Sequence, residues 1–378
     1  MTPSSALPAA AERSTAIAQA RRRWIEGDAE SNGGVPAPAA RIEPWLLRSW
    51  QRCLAAGRLP RERVVFDAVS AAEARRVGER NHALAAAARP VIERLSRAIA
   101  DTRYFAILTD AEGIVIEVGA LPGGSDAEAR HARDIARIGV DLSERAVGTT
   151  AIGAVLAERE PVWLHRGEHF FEDTSVYSCA GAPLFGPRGE CVGMLDLTGV
   201  RVVERPELRH LAVAAARSIE NALVLGQPCA LLLQVGWPGA EPEGLLCIDA
   251  DGRVTGANAA ARHMLHQPLG TREGLHCGDL FALPPQMLFD AARRGEEVLE
   301  VPLWSGLRVQ ARPRLAATPG AREAAGSTAA AAPRLRDVEA ALIRRAVDDA
   351  RGNVAEAARA LGISRATVYR KLGRGLRA

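Results

Sequence analysis

Three groups of residues have the types and spacings that could do chemistry. The string His165-Arg166-Gly167-Glu168-His169 fits H-x-x-E-H, in which two imidazoles on one helix face hold zinc and the glutamate moves protons. Its surroundings argue against that use. Pro161–Leu164 reads as a strand, Gly167 weakens any helix, and no spacing marks a third ligand. A zinc-dependent hydrolase using His165, Glu168 and His169 stands as the alternative to pocket lining or loop structure. Asp249-Ala250-Asp251-Gly252 opens like a calcium loop but lacks the later ligands, and a hairpin turn explains it. The six cysteines, Cys53, Cys179, Cys191, Cys229, Cys247 and Cys277, form no C-x-x-C pair, which excludes a zinc ribbon. No cysteine or serine has a readable base partner, and no metal or other cofactor is expected.

The second group is defined by a scarcity. Of 48 basic residues only Lys371 is a lysine, so a Walker A loop, a kinase strand lysine and a Schiff-base enzyme are all excluded. Residues 335–378 hold ten Arg or Lys against five Asp or Glu, a local net of +5 in a chain of net +3, which leaves residues 1–334 at −2. A small basic module at the end of a near-neutral body is the asymmetry of a nucleic-acid binder.

The third group is aromatic. Trp163, Phe170, Phe171 and Tyr177 fall within fifteen residues of a chain with sixteen Phe, Trp and Tyr. With His169 and Cys179 they could wall a pocket for a small organic effector; core packing is the other reading.

The elements that must position these groups follow from periodicity. Residues 1–40, rich in Ala, Pro, Ser and Gly, read as a flexible tail in which Arg21–Arg23 are solvated. Trp45, Leu46, Trp50 and Leu54 recur at helical spacing, and Ala83–Ile99 is strongly helix-forming. Phe105–Leu108 and Ile114–Val118 flank an acidic Gly turn as a hairpin; Val162–Leu164, Gly181–Phe185 and Cys191–Leu197 are further strands. A helix over Glu207–Leu225 carries the stripe Leu208, Leu211, Ala212, Ala215, Ile219, Ala222, Leu223. The string ILTDAEGIVIEV (107–118) is echoed by LCIDADGRV (246–254), which suggests two related α/β modules. Residues 316–334, nine of them alanine, form a linker. The most apolar window, Ala222–Val235, is interrupted at Gly226–Pro228 and is too short to span a bilayer. With no basic-then-apolar leader, a cytoplasmic protein without membrane contact is expected.

After the linker three short helices are predicted. The first stops at Gly352. Asn353 caps the second, with Glu356 completing a capping-box pair, and it ends at Gly362. Ser364 caps the third, where Ile363 and Val368 form a hydrophobic staple. Val368 and Leu372 share the inner face of that helix, so Ala366, Thr367, Arg370 and Arg374 lie opposite, with Arg365 at the shoulder. This is a helix-turn-helix whose arginines can fork onto guanine and whose Lys371 suits phosphate. A solvated basic face is the bland alternative.

Residues 352–372 (GNVAEAARALGISRATVYRKL) closely resemble the Fis-type helix-turn-helix at the end of bacterial enhancer-binding transcription factors. The resemblance implies DNA contact at Asn353, Ser364, Arg365, Thr367, Arg370 and Lys371, beside Arg374 from the helical wheel. Residues 144–156 (ERAVGTTAIGAVL), 168–171 (EHFF), 179–184, 193–199 (GMLDLTG) and 49–53 (SWQRC) are similar to the GAF-type sensor half of the acetoin-catabolism regulator family. Residues 246–261 resemble a PAS core. The fold class expected is α+β multidomain: a GAF-type α/β sensor at 41–226, a PAS-like α/β module at 229–315, and an all-α helix-turn-helix at 335–378. In that family an ATPase domain that contacts the sigma-54 polymerase sits between sensor and DNA module; here the sequence passes from sensor through linker to helix-turn-helix. The resemblance implies a non-enzymatic bacterial transcription regulator. Its expected partners are double-stranded operator DNA, a small-molecule effector, a second copy of itself, and RNA polymerase or another activator.

Overall fold

The computed structural model describes residues 10–25, 42–123, 125–266, 274–316 and Val354. The chain divides into two units, 1–316 and 317–378. The first unit holds two modules, each with its own sheet. The linker at 316–334 and the proposed DNA-reading helices lie almost wholly outside the described residues.

The first module is built on an antiparallel sheet of order β2-β1-β5-β4-β3: β1 (Tyr104–Asp110), β2 (Val115–Val118), β3 (Val162–His165), β4 (Tyr177–Phe185) and β5 (Cys191–Val200). Both faces are covered by helices, so β1 is buried along its whole length and reads as an apolar run rather than an alternating one. On one face lie α3 (Ala71–Arg80), α4 (His82–Ala98) and α8 (Leu208–Leu225), which pack Leu84, Ile92, Leu95, Ala212 and Ile219 onto Ala106, Leu108, Leu195 and Leu197. On the other face lie α1 (Ala10–Trp24), α2 (Pro44–Ala55), α5 (Asp126–Ile135), α6 (Glu144–Val147) and α7 (Ala151–Glu158), over Phe105, Ile107, Met194 and Cys179.

The expected hairpin, strands and stripe helix are all present, with β4 starting four residues earlier than the apolar run suggested. One expectation is corrected: Ala10–Trp24 is a helix, not part of a flexible tail. Among its described side chains Ile17 and Ala20 are buried, and Arg21 attaches it to distant backbone, so local composition carries little sign of it.

The second module carries an antiparallel sheet of order β8-β7-β6-β10-β9: β6 (Leu231–Gly236), β7 (Gly244–Ile248), β8 (Val254–Ala257), β9 (Leu299–Pro302) and β10 (Arg308–Leu315). Here β10 alternates, with Val309 and Ala311 inward between Arg308, Gln310 and Arg312. The inward side chains meet α9 (Ala259–Met264), α10 (Cys277–Leu280) and α11 (Pro285–Arg294) through Leu280, Phe281 and Leu288.

The internal echo in the sequence has a physical basis. Asp110 Oδ1 accepts from the N–H groups of Glu112 at 3.1 Å and Ile114 at 2.9 Å. Asp249 Oδ1 accepts from Asp251 at 3.0 Å and Arg253 at 2.8 Å. Gly113 and Gly252 then take φ of +87° and +84°, which glycine adopts without strain. The calcium-like string is therefore a hairpin turn. The hairpins lie at equivalent sheet edges, but their neighbour is the last strand, β5, in one sheet and the first strand, β6, in the other.

Candidate functional site

The H-x-x-E-H string does not lie on a helix. His165 ends β3, Arg166 takes φ of +46°, and Arg166–Glu168 is a single 3₁₀ turn. Glu168 accepts from the His165 backbone N–H at 2.6 Å and from Arg13 Nε at 2.9 Å. Burial pushes its carboxyl up to about 7, against the opposing pull of Arg13. His165 Nδ1 is hydrogen-bonded to Ser178 Oγ, and His169 Nδ1–H donates to the Arg166 carbonyl at 2.9 Å. Desolvation, helped for His165 by Arg166 and Arg13, lowers both imidazoles to about 4, so they are neutral. With the glutamate committed to Arg13 and the histidines on a strand and a turn, the zinc-hydrolase arrangement is not built. No three His, Cys, Asp or Glu among the described residues converge as metal ligands.

Helix α1 lies across this turn. Arg21 donates to the carbonyls of Gly167 and Phe170, both at 3.0 Å, and of His169. Arg13 also stacks its guanidinium 4.1 Å from the Trp163 ring centroid. A cavity of about 600 Å³ lies between α1, His165–Glu168 and Val202–Glu204.

The aromatic group is split by strand alternation. Val162 and Leu164 point to the face that also holds Phe170, Phe171, Tyr177 and Cys179, whereas Trp163 packs on the opposite face. The six residues therefore do not line one cavity, which corrects the pocket read from sequence; Trp163 instead borders a separate cavity of about 280 Å³ beside Arg13, Trp45 and His210. Phe170 and Phe171 are fully buried and meet edge to face at 5.1 Å. The Tyr177 hydroxyl donates to the His131 carbonyl at 3.1 Å.

The folded chain does bring together the strings SWQRC, ERAVGTT and EHFF. Ser49 Oγ lies 2.8 Å from Thr149 Oγ1 and donates to Glu144. Arg52 reaches Glu144 Oε2 at 2.6 Å and Glu158 Oε1 at 2.9 Å. Cys53 Sγ lies 3.6 Å from Thr149 Oγ1, and Trp50 Nε1 donates to the Glu168 carbonyl at 2.9 Å. Gly148, at φ of +68°, leaves the space that Phe171 occupies: a Cβ there would stand 2.6 Å from Phe171 Cε2. The three strings thus meet in one largely buried cluster to which α2 itself contributes Ser49, Trp50 and Cys53.

Sequence reasoning passed over Asp196. It stands fully buried in the middle of β5 on the same sheet face, its Oδ2 accepting from Thr198 and its Oδ1 without a partner. Desolvation pushes its carboxyl up to about 7. Cys179 Sγ lies 3.5 Å from Thr198 Oγ1, and burial raises that thiol too. The available signal was a single acid inside the apolar run CVGMLDLTGV.

Residues 21–221, over half of the chain, match the family model described as MimR, N-terminal domain. The chain belongs to the MimR N-terminal domain family. Beyond this MimR-type domain, residues 334–375 match the bacterial regulatory protein, Fis family, model, which spans Asn353, Ser364, Arg365, Thr367, Arg370, Lys371 and Arg374. Those seven lie outside the described residues. The acetoin catabolism regulatory protein of Cupriavidus necator is 31% identical over 244 residues, covering 61% of this chain and 35% of that one. The acetoin dehydrogenase operon transcriptional activator AcoR of Bacillus subtilis is 28% identical over 188 residues, 49% of this chain and 30% of that one. The propane 2-monooxygenase operon transcriptional activator MimR of Mycolicibacterium goodii is 29% identical over 195 residues, 51% of this chain and 31% of that one. The chain thus matches about a third of the length of these relatives. Among solved structures, the E. coli DhaR(N)–DhaL complex aligns at 15% identity over 72% of this chain and 100% of that chain, with a TM-score of 0.44.

Proposed function

We propose that the chain is a DNA-binding transcription regulator. In this reading a GAF-type sensor at 41–226 detects a small molecule, a PAS-like module at 229–315 follows it, and a Fis-type helix-turn-helix at 335–378 reads the operator. The observation that carries the reading is the presence in one chain of the MimR-type match over 21–221 and the Fis-type match over 334–375. The relatives' names, all of regulatory or activator proteins, support it.

The effector site we assign is the buried sheet face around Asp196, Thr198 and Cys179, beneath Phe170, Phe171 and Tyr177. A carboxyl that burial pushes up to about 7 is partly protonated at neutral pH, and in that form it can both donate and accept a hydrogen bond, while a full charge could not enter this apolar face without a partner. The effector class is therefore a small uncharged hydroxyl or carbonyl compound. Acetoin, in the names of two relatives, is a small uncharged hydroxy ketone.

The 378 residues contain no G-x-x-x-x-G-K-[ST] loop, so regulation works through direct contact with RNA polymerase or through another activator rather than by ATP hydrolysis in this sequence. A single recognition helix buries little surface, and the working form is a homodimer on an imperfect palindrome in the cytoplasm. No described helix is long and apolar enough to cross a membrane. Genomic binding and footprinting with and without uncharged metabolites test the proposal. Discrete protected sites whose occupancy changes with one such metabolite support it; protection without sequence preference would overturn it.

A further inference from the structure

A second cavity, of about 490 Å³, lies where the Pro187–Glu190 turn of the first module meets the second. Its apolar wall is Leu246, Val254, Leu265 and Leu280, and its charged lining is Arg262 of α9 with Arg188 and Glu190 of the turn. Arg262 is buried. Its Nη1 donates to the carbonyls of Ala257 and, at 3.4 Å, Gly186, whereas Nε and Nη2 are buried without any hydrogen-bond partner. Those two atoms form one edge of the guanidinium, the edge that grips a carboxylate with two parallel hydrogen bonds.

No described residue takes up that edge. Glu220 and Glu190 act on Arg262 only through space. Glu220 Oε1 accepts from the Phe185 N–H at 2.9 Å, and burial raises its carboxyl above the ordinary value against the pull of Arg262 and Arg217. Glu190 accepts from the Arg188 backbone N–H at 3.1 Å and stands 3.8 Å from the Arg188 guanidinium. An arginine does not shed its proton, so the buried Nε and Nη2 edge is a charged fork whose hydrogen-bonding capacity is unused, with Glu220 and Glu190 acting on it only through space.

We propose that this cavity binds a small organic carboxylate, with the two oxygens on Nε and Nη2 of Arg262 and an apolar body against Leu246, Val254, Leu265 and Leu280. Such a ligand bridges the two modules. It touches the second through Arg262 and the first through the Pro187–Glu190 turn, whose Pro187 carbonyl already accepts from the Ala257 N–H at 2.8 Å. This site is separate from the effector site around Asp196 and takes a charged ligand where that one takes a neutral one.

The test uses the full chain, titrated calorimetrically with benzoate and hexanoate, with benzamide and hexanamide as uncharged counterparts, and with inorganic phosphate. The expected result is binding of at least one carboxylate and of neither amide nor phosphate. Arg262→Met should weaken that binding about tenfold or more, the scale of a lost charge-assisted fork. Arg262→Lys, which keeps the charge without the fork, should also weaken it. If Arg262→Met does not fold by circular dichroism, Leu275→Trp decides: this half-buried side chain lines the cavity, and its enlargement should abolish binding while Arg262 stays intact. The proposal is overturned if neither carboxylate binds, if an amide or phosphate binds as tightly, or if binding survives Leu275→Trp.

Discussion

Replacing Asp196 by asparagine removes a titration that the fold works against. Burial pushes this carboxyl up to about 7 from an ordinary 3.8, so between those values the folded chain keeps a proton that the unfolded chain has released. Where the folded state binds more protons, stability falls as pH rises, by about 1.4 kcal/mol per pH unit. Asp196 therefore contributes no slope below about pH 4, a loss that accumulates to about 4 kcal/mol by pH 7, and no further slope above it. Asparagine has nearly the same shape, still accepts from Thr198, and cannot ionise. Urea unfolding followed by tryptophan fluorescence at pH 5 and pH 8 isolates the effect, because other titrations cancel between the two proteins. The variant should gain about 3 kcal/mol on the parent between those two pH values. A difference that does not change with pH would mean that Asp196 is charged in the folded chain, and the argument for an uncharged effector would fall with it.

Arg13→Ala should leave Glu168 buried without its partner and release α1, at a cost of about 3 kcal/mol at pH 8; limited proteolysis should then cut faster at Arg21–Arg23. Because the Glu168 carboxyl already titrates at about 7, the penalty should shrink at pH 6, and adding Glu168→Gln should restore most of the protection; an unchanged cutting rate refutes the role of α1. Gly148→Ala combines a left-handed backbone with a clash on Phe171 and should destabilise the first module by about 3 kcal/mol. Gly239→Ala, also at positive φ but with open space around it, should cost about 1 kcal/mol in the same melting experiment; equal losses would show that the Phe171 contact is unimportant. In the proposed DNA module, Lys371→Ala or Arg374→Ala should weaken all sequences alike and reduce the salt slope by about one. Ser364→Ala, at the cap expected from the sequence, should lower module stability by about 1 kcal/mol.

Period and turn chemistry made most of the first module legible. The hairpin was visible because Asp110 and Gly113 fix one turn, and α8 because its apolar stripe is continuous. Alternation along Val162-Trp163-Leu164 already separates Trp163 from its neighbours' face, yet aromatic clustering along the chain concealed it. Helix α1 was illegible for a different reason: Arg21 is anchored to carbonyls about 150 residues away, and carbonyls have no side-chain signature. The strings SWQRC, ERAVGTT and EHFF were visible as strings, but only the folded chain explains them, as Ser49, Glu144, Thr149 and Phe171 in one cluster. Asp196 and Arg262 were both readable as lone charges among apolar neighbours, a pattern that marks a buried group but not what it faces.

Whether one helix near the end of the chain reads DNA sequence is measured most directly by comparing Arg370→Ala with Arg336→Ala on the same operator. The sequence reading puts Arg370 on the proposed reading face and Arg336 on the first proposed helix, away from that face. Affinities across a set of single-base operator variants, taken at one salt concentration, should show Arg370→Ala costing about 1–3 kcal/mol and losing preference at one base position. Arg336→Ala should leave base preference intact with a small, uniform loss. Equal losses from both, with preference unchanged, would contradict sequence reading by the third helix and reduce the module to a basic surface that binds DNA by charge alone.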